Sequence, residues 1–369
     1  MVSVQVIVPC YNYGRYLPVC VGSILTQTGV DVRVLIINDA SSDDSGEVAD
    51  ALARSDPRIR VIHHATNKGH IRTYNEGLDA TTADYVVLLS ADDLLTPGAL
   101  HRATQLMEAH PSVGLVYGHP RTVYGDAVPQ PRAGEPSWTV WSGAQWLSLM
   151  CRSGRNFICC PEVVMRTSVQ HRIGGYNPAL PHSGDMEMWM RAARVCDIGR
   201  VNAVDQAYYR VHASSMQRTI HAGALFDLKG RLAAYESALG ADPSLQQARH
   251  SLAVIALRYA LQSVQCREPL DANIEDYLDF AQTLFPDITR TPLWNRLQRS
   301  RSVPPGVVSV ALARARWRVR KSLEYRYWRW RGVEWPLVPR RYQGEKPSLA
   351  STASSGRGST SGGVSRTNA

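Results

Sequence analysis

The chain has 369 residues, 44% of them hydrophobic, so it can bury one large core or two ordinary ones, and disorder throughout is excluded. It has no apolar run of eighteen residues, which excludes a spanning helix on this pattern, and its seven cysteines include no CxxC pair of the zinc-binding kind. Residues 314–369 contain thirteen Lys and Arg and three Glu, a net charge of +10, whereas the net charge of the whole chain is +9. The remaining body is therefore nearly neutral, and nucleic acid is not an expected partner.

Apolar runs alternate with amphipathic segments along the first part of the chain. The opening VSVQVIVPCYN predicts a strand rather than a signal peptide, so we expect a cytoplasmic protein with reduced thiols. Strands are predicted over 2–9, 30–37, 58–63, 83–90 and 113–117, and helices over 17–28, 46–53, 71–80 and 97–110. This alternation is typical of βαβ units, and it predicts an α/β fold with a mostly parallel sheet flanked by helices.

The pattern changes after residue 117. We expect a proline-rich loop over 118–137, a mixed region over 138–216, helices over 222–286 and a linker over 302–305. The Ser/Gly/Thr-rich end cannot build a core and is expected to be disordered. The predicted parts are 1–120, 121–220, a helical extension over 221–300, a basic aromatic segment over 301–347 and a disordered tail over 348–369.

Polar residues follow four of the predicted strands, at 11–12, 38–39, 64–68 and 90–93. Because ligands of parallel sheets bind outside the carboxyl ends of the strands, these residues predict a binding rim. The phosphate-binding pattern GxGxxG is absent after the first strand, so a diphosphate needs another counter-charge. Asp92 and Asp93 can supply it through Mg²⁺ or Mn²⁺. The open alternative is that these acids cap the helix that follows Pro97.

Seven short motifs resemble, in order and spacing, those of the family-two glycosyltransferases, which are nucleotide-sugar-dependent inverting enzymes of the GT-A fold. The motifs are Pro9-x-Tyr11-Asn12, Ile37-Asn38-Asp39-x-Ser41-x-Asp43, Asn67-x-Gly69, Leu89-Ser90-Ala91-Asp92-Asp93, Ile173-Gly174-Gly175-Tyr176, Gly184-Asp185-x-Glu187-x-Trp189-Met190-Arg191 and Tyr209-Arg210-x-His212. The resemblance implies a GT-A-like, Rossmann-type fold. It also implies that residues 1–120 bind the nucleotide-sugar and that residues 121–220 bind the acceptor and carry the catalytic base.

The resemblance implies a role for each matching position. Asp185 is expected to be the general base. A divalent metal, Mn²⁺ or Mg²⁺, is expected at Asp92, with Asp93 and His212 beside it. The nucleotide-sugar is expected to contact Pro9, Tyr11, Asn12, Asp39, Lys68, Ser90 and Ala91. From the pattern alone, a turn role for Asp39 and a helix-capping role for Asp185 stay open.

Two positions depart from the family pattern. Ser90 stands where the first acid of the DxD motif usually stands, and Gly184 stands where the Glu of the ED pair usually stands. Ser90 brings no charge, and Gly184 removes a contact to the acceptor. A catalytically impaired nucleotide-sugar-binding protein of the same fold is therefore the alternative. A nucleotidyltransferase is disfavoured, because PCYNYGR is not a glycine-rich basic loop.

The expected reaction is a single displacement with inversion. Negative charge develops on the leaving diphosphate, where a metal stabilises it, while the incoming hydroxyl loses its proton to a carboxylate on the opposite face. The resemblance implies a nucleotide-diphosphate-sugar donor and a glycan, lipid-linked or small-molecule acceptor. It points to bacterial cell-surface polysaccharide or glycoconjugate synthesis.

Basic and aromatic residues interleave over 314–342, including Trp317 and Trp328. One interpretation is an interfacial helix on an anionic membrane, which would make the protein peripheral on the inner face of the plasma membrane. The other is a helix that packs on the catalytic body with solvated arginines. Both interpretations stay open from the sequence. A membrane scaffold, in which this segment carries the function, is a further alternative.

Overall fold

The computed structural model describes residues 1–125, 127–132, 134–212, 223–303 and 305–330. The expected tail over 348–369, and the basic segment beyond residue 330, lie outside the described residues. The strands are β1 Ser3–Cys10, β2 Asp31–Asn38, β3 Ile59–His63, β4 Tyr85–Leu88, β5 Leu94–Leu95, β6 Val113–Tyr124, β7 Ser137–Trp141, β8 Val164–Arg166 and β9 Asp197–Val211.

The helices follow the predicted alternation and then dominate the C-terminal part. They are α1 Leu17–Leu25, α2 Ser45–Ser55, α3 His70–Asp79, α4 Ala99–Ala109, α5 Gly143–Ser153, α6 Thr167–Ile173, α7 Gly184–Ala193, α8 Ala224–Leu239, α9 Ser244–Cys266, α10 Ile274–Leu284, α11 Pro292–Ser302 and α12 Val307–Trp330. A short 3-10 helix, Pro286–Arg290, joins α10 to α11. The helical character predicted for 222–286 is confirmed over 224–284.

The strands form one mixed sheet in the order β3-β2-β1-β4-β8-β6-β9-β5, with β7 also paired to β9. The strands β3, β2, β1 and β4 are parallel, β6 and β9 are parallel, and β8 runs antiparallel between the two groups. The prediction of an α/β fold with a mostly parallel sheet flanked by helices is confirmed.

The strand β6 runs past the predicted end at residue 117 and continues to Tyr124, so the loop expected over 118–137 was placed too early. The reason is its long pairing with β9, which tolerates Pro120 because the register shifts between His119 and Pro120. Gly118 lies in the same strand. A side chain does not fit at this position, because a Cβ there would lie 2.3 Å from Cγ of Gln206.

Two apolar cores lie on opposite faces of the sheet, and β1 contributes to both. Val4, Val6 and Val8 pack on the face covered by α1 and α4, while Ile7 belongs to the other core. That second core continues through α5 and α7 into α8, α9 and α10. The helical extension therefore shares a core with the sheet. In the parts of the chain given above, no helix is both long and apolar enough to cross a bilayer.

Gly143, the first residue of α5, lies against the end of α7. A Cβ at this position would lie 1.7 Å from the carbonyl oxygen of Ala193 and 2.6 Å from that of Cys196. We expect Gly143→Ala to lower the free energy of unfolding by about 3 kcal/mol, because both neighbours are backbone atoms that cannot yield easily. Urea unfolding followed by circular dichroism measures this change.

Gly22→Ala in α1 is the matched control, since no atom lies within 4 Å of a Cβ built there. We expect that variant to be unchanged or more stable by about 0.5–1 kcal/mol, because alanine has the better helix propensity. Equal unfolding midpoints for the two variants would contradict the close approach of α5 and α7.

Candidate functional site

The parallel pairing brings the ends of β1, β2 and β4 to one rim of the sheet. Cys10 of β1 pairs with Asn38 of β2, so Tyr11 and Asp39 follow neighbouring strands. On the other side of β1, Ile7 pairs with Leu88 of β4, which leads into residues 90–93. The convergence of strand ends expected from the sequence is therefore present.

The turn after β1 is fixed to the turn after β2 through Asn12. The backbone N–H of Asn12 donates to Oγ of Ser41 at 3.0 Å, and its Oδ1 accepts from the N–H of Ser42 at 2.8 Å. Asn12 has φ 58°, a left-handed value that asparagine tolerates better than most residues. Tyr11, beside it, is half exposed.

Asp39 is 3% exposed and organises the loop after β3. Its carboxylate accepts from Nδ1 of His64 at 2.7 Å and from the backbone N–H groups of Lys68 and Gly69 at 2.7 and 3.0 Å. Burial by itself raises the pKa of Asp39, but these donors outweigh burial and hold the pKa below its ordinary value. Asp39 therefore carries a negative charge that is already well satisfied.

Lys68 points its ammonium at Glu76 in α3. The Lys68 Nζ to Glu76 Oε2 distance is 2.7 Å, and Nε2 of His64 lies 3.1 Å from the same oxygen. Asp39, His64, Glu76 and Lys68 thus form one hydrogen-bonded chain along the rim. No motif marks His64, and only its place directly after β3 indicated that it belongs to the rim.

Ser90 and Ala91 form the turn that leaves β4. The carbonyl oxygen of Ser90 accepts from the N–H of Asp93 at 2.9 Å. Burial raises the pKa of the Tyr74 phenol, and the Ser90 hydroxyl opposes that rise. Ala91 is buried. Ser90 therefore places a hydroxyl at the rim near Tyr74 of α3.

Asp92 faces His212 at the end of β9. The Asp92 carboxylate is 8% exposed, and its Oδ2 lies 3.0 Å from Nε2 of His212. Burial raises the pKa of Asp92, and the hydrogen bond from His212 opposes that rise. The rings of Tyr13 and Tyr16 pack on the His212 ring at centroid distances of 5.6 and 5.5 Å. These contacts hold the imidazole against the carboxylate.

Asp93 binds the backbone of β9 instead. Its Oδ1 accepts from the N–H of Arg210 at 2.8 Å, while Nε of Arg210 donates to the carbonyl oxygen of Asp92 at 2.9 Å. Burial, and then the charge of Asp92, raise the pKa of Asp93 well above its ordinary value. The helix α4 begins at Ala99 after Gly98, with no side-chain hydrogen bond at its cap, so neither acid caps it.

Asp185 is the second residue of α7. Its Oδ1 accepts from the N–H of Met186 at 2.6 Å, and its Oδ2 lies 3.3 Å from Nδ2 of Asn156. Burial raises the pKa of Asp185 to about 6, against the opposing hydrogen bond from Met186. One oxygen of the Asp185 carboxylate is therefore held by the first turn of α7, and the other is bound by Asn156 from a separate loop.

The departure at Gly184 has a steric counterpart. A Cβ at this position would lie 3.1 Å from Cδ1 of Tyr176, closer than most side chains tolerate. Tyr176 in turn packs on Tyr74 with ring centroids 5.4 Å apart. The aromatic pair occupies the space beside residue 184.

Asp185 and Asp93 both affect the pKa of one nearby residue, Cys160. Burial, and next the charge of Asp185, raise the pKa of the Cys160 thiol, and Glu162 and Asp93 add to the rise. The Cys160 Sγ lies 3.8 Å from the Tyr176 hydroxyl. Asp185 and Asp93 therefore both lie near Cys160, which is itself beside Tyr176.

Asp92 and His212 are the side chains that fit a divalent cation. In the described ranges no three His, Cys, Asp or Glu side chains converge as a complete metal site. Mg²⁺ and Mn²⁺ prefer oxygen ligands, and Mg²⁺ commonly uses one or two protein carboxylates, the rest being water and substrate phosphate. The buried Asp92 carboxylate would supply such a ligand, with the His212 imidazole beside it, and a cation bound there would neutralise the charge of Asp92.

Two side chains that sequence reasoning missed contact the candidate residues. Asn156 reaches Asp185 from the loop after α5, and its Oδ1 is fixed by the N–H of Ile158 at 3.1 Å. Tyr74 reaches Ser90 from α3. No motif marks either residue, and each meets its partner only through the tertiary fold.

Comparison with known sequences gives consistent matches. Residues 5–168 match the family model described as "Glycosyl transferase family 2". The glycosyltransferase GlyG of Streptococcus pneumoniae is 32% identical over 119 residues, which cover 31% of this chain and 40% of that protein. An uncharacterized glycosyltransferase of Nostoc sp. is 27% identical over 231 residues, covering 58% and 66%. The chain thus spans less than two thirds of the length of either relative.

Comparison with solved structures supports the same fold. The crystal structure of residues 1–349 of TarS from S. aureus, in complex with UDP-GlcNAc, has a TM-score of 0.57 and 16% sequence identity. The match covers 86% of this chain and 92% of that chain, which shows a common GT-A-like architecture. Residues 5–168, which include the rim residues from Pro9 to Asp93, are therefore similar to glycosyl transferase family 2.

Proposed function

We propose that the protein transfers a sugar from a nucleotide-diphosphate-sugar to an acceptor hydroxyl, with inversion at the anomeric carbon. The observation that carries the proposal is the presence of two acids in different settings around one region. Asp92 is buried beside an imidazole, whereas Asp185 has a pKa raised to about 6 and lies near Cys160, whose pKa the charge of Asp93 also raises. Acids in such different settings can take different parts in one displacement.

The nucleoside part of the donor is proposed to lie along the rim. Pro9, Tyr11 and Asn12 form one wall, and Asp39 with Lys68 forms the wall opposite. Since three donors already satisfy Asp39, its main contribution is to fix the loop that the nucleotide meets. Ser90 and Ala91 complete the floor, with the Ser90 hydroxyl available to a ribose.

Asp92 and His212 would hold a divalent cation, Mn²⁺ or Mg²⁺, on the diphosphate. When bound there, the cation supplies positive charge that stabilises the leaving diphosphate. Asp93 is proposed to position Asp92 without contacting the cation itself, because its own Oδ1 is engaged by the backbone of β9. Arg210 then keeps the carbonyl end of Asp92 in place.

Asp185 is proposed as the general base. The incoming hydroxyl gives its proton to a carboxylate oxygen of Asp185 while its own oxygen forms a bond to the anomeric carbon. The bond from that carbon to the diphosphate oxygen breaks, and the nucleoside diphosphate leaves with the electron pair. A pKa of about 6 leaves Asp185 charged at neutral pH and more basic than an ordinary carboxylate.

The setting proposed for this reaction is cell-surface polysaccharide or glycoconjugate synthesis in bacteria, at the cytoplasmic side of the membrane. Five apolar residues of α12 are more than half exposed, namely Val307, Val308, Leu312, Val319 and Leu323. Together with the arginines of the same helix, they suit a peripheral contact with anionic lipid. The acceptor is then a glycan or a lipid-linked molecule.

A donor screen tests the proposed reaction. We expect one of a panel of UDP-, GDP- and dTDP-sugars to release nucleoside diphosphate at least about tenfold faster with Mn²⁺ or Mg²⁺ than with EDTA. The readout is nucleoside diphosphate release, with calorimetric binding of each donor in parallel. Tight binding of a donor without turnover would support the catalytically impaired alternative, which Ser90 and Gly184 motivate. Absence of binding by every donor would reject both functions.

A further inference from the structure

A cavity of about 670 Å³ lies beside Asp185, between the loop after α5 and the helical extension. Its walls come from residues 155–156, from α9 with the segment that follows it, and from α12. Asn156 lines the cavity and also places its Nδ2 3.3 Å from Oδ2 of Asp185. A molecule that touches Asn156 from the cavity is therefore one side chain away from the candidate base.

The lining of this cavity is strongly basic. Five arginines contribute to it, namely Arg155, Arg258, Arg314, Arg318 and Arg320, against the acids Glu268 and Asp271. Asp271 accepts from the Tyr277 hydroxyl and from the N–H of Leu225, and Glu268 accepts from Nε2 of Gln262 at 2.8 Å. Counted by residue type, the charged side chains of the lining sum to +3. An anion is the ligand that this charge favours.

The helix α12 supplies three of the five arginines from the part of the basic segment that lies in the described residues. Nε of Arg314 donates to the carbonyl oxygen of Cys266 at 2.9 Å, which fixes the helix on the end of α9. The guanidinium of Arg320 lies 5.3 Å from the centroid of the Trp317 ring. The described part of the basic segment therefore packs on the rest of the protein, which is one of the two interpretations left open by the sequence.

We propose that this arginine cavity binds the acceptor and that the acceptor carries phosphate groups. The inference rests on the proposed sugar transfer and names the substrate class on its acceptor side. Guanidinium groups bind phosphate oxygens through paired hydrogen bonds, which a neutral glycan does not offer. Tyr259 and Trp317 in the same lining provide flat apolar faces for sugar rings or for a glycerol or alditol backbone. A hydroxyl of the bound chain can then reach Asp185 past Asn156.

Binding of a soluble oligomer of glycerol phosphate, measured by calorimetry on the full chain, tests this proposal. Dextran of similar length is the neutral comparison. We expect the phosphate oligomer to bind and dextran not to bind. The double variant Arg258→Gln/Arg318→Gln should weaken binding of the oligomer at least about tenfold, because two charge-assisted contacts are lost.

Two further variants test whether a loss of binding comes from the cavity itself, from a general loss of positive charge, or from misfolding. Arg290→Gln/Arg296→Gln removes the same charge from exposed positions of the extension outside the cavity and should bind as the unaltered protein does. Arg258→Lys/Arg318→Lys keeps the charge and should retain more affinity than the glutamine pair. Equal weakening by the two glutamine pairs, or equal binding of dextran and the oligomer, would overturn the proposal.

Vesicles that contain phosphatidylglycerol distinguish the source of the phosphate. Vesicle binding that depends on Arg258 and Arg318 assigns a lipid-linked acceptor, whereas oligomer binding alone assigns a soluble polymer chain. Vesicle binding that ignores both arginines, with no oligomer binding, rejects the cavity as the site. Because these measurements need no donor and no turnover, failure of the proposed reaction would be seen separately, in the donor screen.

Discussion

Asp185→Asn should lower the rate of sugar transfer by about 10³-fold while leaving donor binding within about twofold of the unaltered protein. Asparagine keeps the shape of the side chain and can still accept from the N–H of Met186, but it cannot take a proton from the incoming hydroxyl. The measurement is steady-state transfer to a saturating acceptor, with donor affinity from calorimetry. Full transfer by this variant would remove Asp185 from the role of base.

The pH profile gives a second readout for the same residue. Because the pKa of Asp185 is raised to about 6, log kcat/KM should rise with unit slope below pH 6 and level off above it. The raised value also means that ionised Asp185 costs stability above about pH 6, and this cost vanishes as pH falls below the ordinary value of 3.8. Asp185→Asn should therefore be more stable at pH 7.5, by on the order of 2 kcal/mol, but not at pH 4. Asp287→Asn, at an exposed acid, should show neither effect.

Asp92→Ala should lower kcat/KM by on the order of 10³-fold and abolish the dependence of donor affinity on Mn²⁺. The buried carboxylate that would hold the cation is lost, while the nucleoside wall around Asp39 is untouched. Donor titrations with and without Mn²⁺ measure the difference, and Mn²⁺ binding can be followed directly by electron paramagnetic resonance. Donor affinity in the absence of metal should change little.

Asp205→Asn is the matched control for Asp92→Ala. Asp205 is also a buried acid beside a histidine, with its Oδ1 3.1 Å from Nδ1 of His119, but it lies within β9, seven positions before His212 in the chain. We expect this variant to unfold at lower urea concentration yet to keep the effect of Mn²⁺ on donor affinity. A loss of the Mn²⁺ effect in both variants would show that instability, rather than a lost ligand, explains Asp92→Ala.

The rim of the site was predictable because it depends on local patterns. Apolar runs of strand length and parallel topology place Tyr11, Asp39 and Asp92 at neighbouring strand ends whatever the rest of the fold does. The spacing could not decide between a helix cap and a binding residue at 92–93. The helix cap is excluded by where α4 begins and by the bond from the backbone of β9 to Asp93, which joins residues more than a hundred positions apart.

The remaining parts depend on contacts between distant segments. Gly118 and Pro120 are typical of loops, yet they lie inside β6, because β9 pairs along its length with shifts of register. Asn156 carries no signal of its own in a loop, and its contact with Asp185 exists only once α5 and α7 have packed. The arginines of α12 were visible as charge, but their direction toward a cavity required the packing of α12 on α9.

The reciprocal bonds between Arg210 and the Asp92-Asp93 turn restrict how this protein can be recombined with its relatives. Residues 92–93 follow β4, whereas Arg210 lies in β9, so a chimera that exchanges one of these two segments alone can separate the partners. Another residue at position 210 would keep the backbone N–H that donates to Asp93, but it would leave the carbonyl oxygen of Asp92 without its guanidinium donor, a loss of about 1–3 kcal/mol. Exchanges that carry residues 92–93 and β9 together should therefore yield more stable hybrids than exchanges that split them.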